Sequence, residues 1–198
     1  MKRIAVSTLT ALFLIVGTGT LQVASAEETP SPESTGATAP GFAVVPLSKL
    51  IGRVSGSPYK TMLVAQQVPS EVVTGDIGNG PVKYAVFLTI LRNNFLAAVV
   101  SDNVVSIIPE SYVRYSAPRT ISSLEQEVPA DEWVSFTHRP KHISAPQLVP
   151  ILRPLMPQAA HLAAFPEQNA LIIVDRFGNV KRLVGIIGQL DQPNAPKE

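Results

Sequence analysis

The side chains best suited to chemistry in this chain are its three histidines, His138, His142 and His161, and its scattered carboxylates. A zinc-type centre needs imidazoles and a carboxylate converging on one point. His138 and His142 stand four residues apart, but on a strand-to-helix turn rather than on one helix, so the spacing does not make them partners. Histidine is commonly intermediate in burial, and separate surface or half-buried rings are the plainer expectation. Asp175-Arg176 follows an apolar strand and precedes a helix, where the carboxylate suits capping of backbone N–H groups better than acid–base work. Ser-His-Asp catalysis lacks the G-x-S-x-G turn that would expose a nucleophile. Gly75, Gly78 and Gly80 break a loop but lack the Lys-Ser/Thr of a phosphate-binding loop. The absence of cysteine removes disulfides, thiol nucleophiles and thiolate metal sites together. No catalytic, cofactor-binding or metal-binding residue is expected.

The N-terminus has the pattern of a cleavable export signal. Lys2 and Arg3 precede the largely apolar run Ile4 to Val16, and Ala24-Ser25-Ala26 supplies a small-x-small site, with cleavage after Ala26. The run falls short of the about 20 apolar residues of a comfortable membrane span. About 170 residues then remain, enough for one or two small domains. The precursor carries a formal charge of +1, and loss of Lys2 and Arg3 turns it to −1 by count. Neither sign favours nucleic acid or an anionic membrane surface. No transmembrane segment is expected after cleavage, so an exported chain is expected.

Five stretches follow the signal. EETPSPESTGATAP, residues 27–40, has no apolar periodicity and is expected to be a disordered spacer. Residues 41–110 read as a first domain, 111–131 as a connection containing Pro118 and Pro129, 132–191 as a second domain, and 192–198 as a loose tail. In the first domain Phe42 to Val45 reads as a strand, and Leu47, Leu50, Ile51 and Val54 have helical spacing. Strands are expected over Thr61–Val64 and Glu71–Thr74. A second helix starts at Pro81, carries Tyr84, Phe87, Leu88 and Leu91, and ends at Asn93-Asn94 in a left-handed cap. Phe95–Val100 and Val104–Ile108 flank a tight hairpin turn. The second domain reads as strand, helix, strand, strand, helix. Val134, Phe136 and His138 alternate on the first strand, and Ser144 caps a helix whose interior contains Pro150. His161–Phe165 and Ala170–Val174 form a hairpin, and Val180 to Leu190 closes the domain. Trp133 is expected to pack rather than to anchor an interface. The fold class is α+β: two small domains, each a mixed or antiparallel sheet with helices packed on it.

The motifs resemble the periplasmic N-terminal domains of bacterial secretins, the ring-forming outer-membrane channels of type II secretion and related machines. In the first domain, Phe42 with Leu47, Leu50 and Ile51, the strand Lys60-Thr61-Met62-Leu63-Val64, the helix of Tyr84, Phe87, Leu88 and Leu91, and the hairpin FLAAVVSDNVVSIIP are similar to the first secretin N-domain, itself related to the signalling domain of TonB-dependent receptors. Ala65-Gln66 and Ser70-Glu71 depart from the family's Asp-Pro and Gly, and Val44 and Val45 replace its common acidic residues. In the second domain, Ser144 to Leu155, Asn169 to Asp175, and Ile186-Ile187 with Leu190-Asp191 resemble the next N-domain, which is KH-like. The G-x-x-G clamp of an RNA-binding KH domain is absent.

The resemblance implies a structural or adaptor component of a type II-like secretion machine, without the channel domain. Its implied location is the periplasm of a bacterium, with any outer-membrane association made through a secretin, and its implied partners are an inner-membrane platform protein, secretin N-domains, or copies of itself. Candidate contact residues are Phe42, Val44, Val45, Val72 and Val73 on strand edges, and Arg176, Lys181 and Arg182 on the last helix. A second reading is a remnant or split product of a longer secretin gene with no activity of its own. A third, a periplasmic enzyme or ligand carrier, would require a convergent polar pocket that the sequence does not suggest.

Overall fold

The computed structural model describes residues 41–193. The expected signal, the 27–40 spacer and tail residues 194–198 lie outside the described residues. The fold is α+β, in two lobes that belong to one compact unit. Among the described residues no helix is long and apolar enough to cross a membrane.

The first lobe is built from β1 (Ala43–Pro46), α1 (Leu47–Ile51), β2 (Val54–Ser55), β3 (Thr61–Val64), β4 (Glu71–Thr74), β5 (Val82–Lys83), α2 (Tyr84–Asn93), β6 (Leu96–Ser101) and β7 (Val104–Pro109). Its strands form three small sheets: β1 antiparallel to β4, β2 parallel to β5, and the order β3-β7-β6. Helix α2 holds them together. Tyr84, Phe87, Leu88 and Leu91 recur at three- and four-residue steps and are all buried. They pack with Leu47 and Leu50 of α1, Val72, and Val105 and Ile107 of β7. Each such fully buried side chain contributes about 1.5–3 kcal/mol of transfer free energy.

Three local features differ from the sequence reading. Helix α1 ends at Ile51, and Val54 joins β2 because the chain turns at Gly52 and pairs with β5. Helix α2 begins at Tyr84 rather than Pro81, since Val82 and Lys83 are held in that pairing. The left-handed step after α2 falls on Phe95, at φ 56°, whereas Asn94 keeps φ −101°. The Asn94 side chain is bound to Val73 and Ile90, which holds that residue in register with β4.

The second lobe has one sheet of order β10-β11-β9-β8, from β8 (Thr120–Ile121), β9 (Trp133–His138), β10 (His161–Phe165) and β11 (Ala170–Arg176). Helices α3 (Ala145–Leu152) and α4 (Phe177–Leu190) bury Leu148, Leu152, Val180, Leu183 and Ile187 against Val134, Leu171 and Ile173. Pro146 lies in the first turn of α3, where its missing N–H costs nothing. Pro150 removes an interior bond, and past Leu152 the helix tightens into a 3-10 turn, Arg153–Leu155. Ser144 stands at the N-cap, but its hydroxyl makes no capping bond. Asn169 supplies it instead: Oδ1 accepts the Ala145 N–H at 2.6 Å.

Residues 111–131 do more than connect. Their start belongs to a 3-10 helix, Glu110–Tyr115, anchored by buried Val113. Thr120 and Ile121 then form β8, parallel to β9, with Ile121 in the second core. Between the lobes lies a third apolar cluster of Ala97, Val99, Val113, Trp133, Ala159 and Ala160. Trp133 is fully buried there, as packing predicts. Ala130 abuts the start of α4, where its carbonyl accepts the Gly178 N–H at 2.8 Å. A Cβ on Gly178 would meet Ala130 Cβ at 3.2 Å and its carbonyl oxygen at 3.3 Å, so this position favours glycine.

Candidate functional site

The strand pair β1–β4 carries the exposed apolar side chains of the expected contact set. Register places Val44 opposite Val73, and Phe42 lies two residues along from Val44 on the same face. Phe42, Val44 and Val73 are 59, 52 and 48% exposed. The other two members are corrected by the structure. Val72 points into the first core and is buried, and Val45 packs half-buried against the same core. Strand alternation requires this, since residues one position apart face opposite sides.

The two edges of this pair are unequal. Leu47 N–H donates to Ser70 O at 2.8 Å, which fixes the ladder so that Val45 and Val72 exchange bonds and the N–H and C=O of Val44 and Val73 point outward. On the β4 side, Asn94 closes that edge. Its Oδ1 accepts the Val73 N–H at 2.8 Å and its Nδ2 donates to Val73 O at 2.8 Å. On the β1 side Val44 keeps an outward donor and acceptor, followed by Pro46, which has no N–H. An approaching strand therefore meets a short edge centred on one residue.

The expected basic residues divide in the same way, Lys181 and Arg182 lying on α4 and Arg176 ending β11 before it. Lys181 and Arg182 are exposed, Lys181 lying over the Phe177 ring at 5.5 Å and Arg182 donating to Leu155 O at 2.7 Å. Arg176 is not a free surface cation. It pairs with Glu110 of the first lobe at 2.7 Å and lies over the Trp133 ring at 5.0 Å.

Arg176 belongs to a polar seam between the lobes that sequence spacing does not reveal. Asp131 accepts from Arg92 at 2.9 Å and from Thr89 at 2.7 Å. Glu132 is fully buried; Arg119 donates to its Oε1 at 2.7 Å, and the Tyr59 hydroxyl donates to the same oxygen at 3.3 Å. Burial pushes the Glu132 carboxyl above its ordinary range, opposed by the Arg119 guanidinium. Burial, then the Glu132 charge, push both Tyr59 and Tyr84 upward. Tyr84 Oη, Glu132 Oε2 and Trp133 Nε1 are buried without protein partners. The only advance signal was Asp131-Glu132 directly before the sole tryptophan.

Residues with chemical potential are separated. His138 ends β9, with its pKa lowered by burial against the opposing pull of Asp191. His142 lies in the following loop and His161 begins β10. Among the described residues no group of three or more His, Cys, Asp or Glu could hold a metal. Asp175 is buried at the start of α4, where Oδ1 accepts the Arg176 N–H at 2.7 Å and Oδ2 accepts from Asn179. Burial raises its pKa despite these bonds, and its place is that of a cap. Asp191 gathers the backbone N–H groups of Lys141, His142 and Ile143 at 2.7, 2.6 and 2.8 Å. Those bonds, the Lys141 one foremost, lower its pKa to about 2.

Comparison with known proteins agrees with this architecture. Residues 135–195 match the Secretin_N family, described as a bacterial type II/III secretion system short domain. Secretin XcpQ of Pseudomonas aeruginosa is 33% identical over 109 residues, covering 55% of this chain and 16% of the relative. Secretin GspD of Vibrio cholerae is 28% identical over 151 residues, covering 74% of this chain and 22% of the relative. Among solved structures, the Klebsiella pneumoniae type II secretion system outer membrane complex of PulD, PulS and the PulC HR domain aligns with a TM-score of 0.61. It is 22% identical and covers 78% of this chain and 27% of that chain, a likeness of fold. In sequence and architecture the chain resembles the periplasmic N-terminal domains of type II secretion secretins.

Proposed function

We propose that this chain is a periplasmic structural component of a type II-like secretion machine, and that its work is binding rather than catalysis. The observation that carries the reading is the inequality of the β1–β4 edges. Asn94 closes β4, while Val44 on β1 keeps an outward N–H and C=O beside the exposed Phe42 side chain. That edge suits addition of one strand from a partner, with backbone bonds giving affinity and apolar side chains giving selectivity. The partner is an inner-membrane platform protein or the N-domain of a secretin. The Klebsiella complex of similar fold holds PulD together with PulS and the PulC HR domain, and a chain of this fold in a multi-protein assembly is what the proposal extends to this one. Lys181 and Arg182 are assigned to orientation against a neighbouring domain, since exposed charges set register more than affinity.

The test is affinity capture from solubilised envelopes using the wild-type chain and Val44→Pro. The variant removes the outward donor at an edge position that tolerates proline. Retrieval of a secretion component by wild type, and its loss with Val44→Pro, is expected. Failure of the wild type to retrieve any such component overturns the proposal. Equal retrieval by the variant moves the contact away from β1.

A further inference from the structure

A second surface uses neither Val44 nor Val73. Between the lobes opens a cleft of about 800 Å³, lined in part by Arg92, Phe95, Arg114, Tyr115, Gln158 and Arg176. A smaller cleft of about 360 Å³ shares Arg92 and Arg176 with it and adds Arg182. The two form one valley over the seam.

Phe95 is the first unusual feature. It is 80% exposed and occupies the left-handed region at φ 56°. That conformation is unfavourable for a bulky side chain and ordinary for glycine. Its carbonyl accepts the Glu110 N–H at 2.8 Å, so the backbone is held where the β6–β7 pairing ends. The left-handed step itself turns the chain from α2 into β6, but a glycine would make it without strain, and the solvated ring contributes nothing to either core. Strained residues that persist at clefts are candidates for function. Tyr115 lines the same cleft and is also 80% exposed, at the end of the 3-10 helix that buried Val113 anchors. Two aromatic side chains are thus presented to solvent on fixed backbone.

The second feature is charge. Glu110 is taken up by Arg176 and Asp131 by Arg92. Arg114 donates to Gln158 O at 3.1 Å, and Arg182 to Leu155 O and Asn179. Neither has a carboxylate partner among the described residues. The third carboxylate of the valley, Asp175, is buried and bonded to the Arg176 N–H and to Asn179, so the guanidinium groups left without a carboxylate are those of Arg114 and Arg182.

We infer that the interlobe valley docks an acidic segment of a partner protein, with an apolar side chain between Phe95 and Tyr115 and carboxylates on Arg114 and Arg182. Arginine forks match carboxylates, and exposed aromatic residues beside arginine are favoured as interface anchors. The inference stands apart from the secretion reading, because a synthetic probe tests it without any secretion component.

The probe is a fluorescent peptide of alternating Glu and Asp around a central Leu-Trp, titrated into the purified chain and followed by anisotropy. Its counterpart carries Lys and Arg in place of the acids. The acidic peptide is expected to bind and to weaken with added salt. Phe95→Gly is expected to weaken it about tenfold while the melting temperature holds or rises, because glycine relieves the left-handed backbone. Arg114→Glu, at an exposed position, is expected to weaken it at least as much without loss of folding. Equal binding of the basic peptide, or unchanged binding by Phe95→Gly and Arg114→Glu, overturns the inference. Binding of phosphatidylglycerol vesicles but not the peptide overturns it in favour of a membrane surface. A dimer in light scattering that Phe95→Gly dissolves overturns it in favour of a second copy of this chain.

Discussion

Asn94 in the first lobe and Asn169 in the second occupy comparable places, each near a left-handed step and each binding backbone groups through its amide. Asn94 acts across elements. It pairs with both outward groups of Val73 on β4 and donates to Ile90 O at 2.8 Å, closing an edge that three small sheets leave open. Asn169 has φ 46° itself. It caps α3 at Ala145 and donates to Pro140 O at 2.9 Å and Ile143 O at 3.1 Å, organising the loop before that helix. The second lobe, with its single sheet, uses its asparagine for a helix and loop. The first uses its asparagine in place of a strand. Divided sheets have more backbone to close, and a side-chain amide can present the donor and acceptor of a missing neighbour.

The seam between the lobes sets the upper scale for this comparison. Arg119→Leu leaves the fully buried Glu132 carboxylate without its cation and is expected to cost about 3 kcal/mol at neutral pH, more than either asparagine. The folded Glu132 pKa is already raised and rises further in the variant. The folded state then holds the proton more tightly than the unfolded state, so the loss shrinks as pH falls below the folded pKa. Urea unfolding across pH measures this, and an equal loss at all pH values would show that packing, not charge, is involved.

Asn169→Ala is expected to follow at about 2 kcal/mol, because it removes three bonds and puts alanine in a left-handed conformation that asparagine tolerates better. Asn169→Gly should recover about 0.5–1 kcal/mol of that by accepting the backbone geometry. Equal losses for the two variants would locate the whole effect in the amide. Asn94→Ala should cost about 1 kcal/mol, since Val73 is exposed and water can take over its backbone groups. Its distinct signature is association through the opened β4 edge, read by sedimentation velocity. A strictly monomeric Asn94→Ala would remove the proposed difference between the lobes. The smallest effect at neutral pH is expected from Asp191→Asn. The native carboxylate, held near pKa 2, contributes fully above the ordinary carboxylate range and loses its contribution as pH falls through about 2. The gap between wild type and variant in acid unfolding should therefore close in strong acid.

Element types in the second lobe were legible because its period is clear. Val134, Leu148, Leu152, Leu183 and Ile187 recur at strand or helix spacing, and all are buried. The first lobe was legible for the same reason along α2, but two-residue strands such as Val54–Ser55 and Val82–Lys83 have no periodicity to read and are set by tertiary pairing. Of the expected contact residues, Phe42, Val44 and Val73 are exposed and adjoin one another. Val72 is not exposed, because alternation carries it inward, and Arg176 is drawn off by Glu110, a partner sixty-six positions earlier in the chain. Arg119 reaches Glu132 through the β8–β9 pairing and Tyr59 reaches it from the other lobe, seventy-three positions away, so no local pattern marks the three.

Strand β6 is hidden on both faces. Leu96, Ala98 and Val100 belong to the first core, while Ala97 and Val99 belong to the cluster under Trp133. A partition wall of this kind cannot absorb an inserted or deleted residue. A slip of one position would turn Leu96 and Ala98 toward the tryptophan and bring alanine and valine where the first core needs leucine. Length variation among related chains should consequently gather in the hairpin tip at Asp102-Asn103 and leave the five wall residues in step.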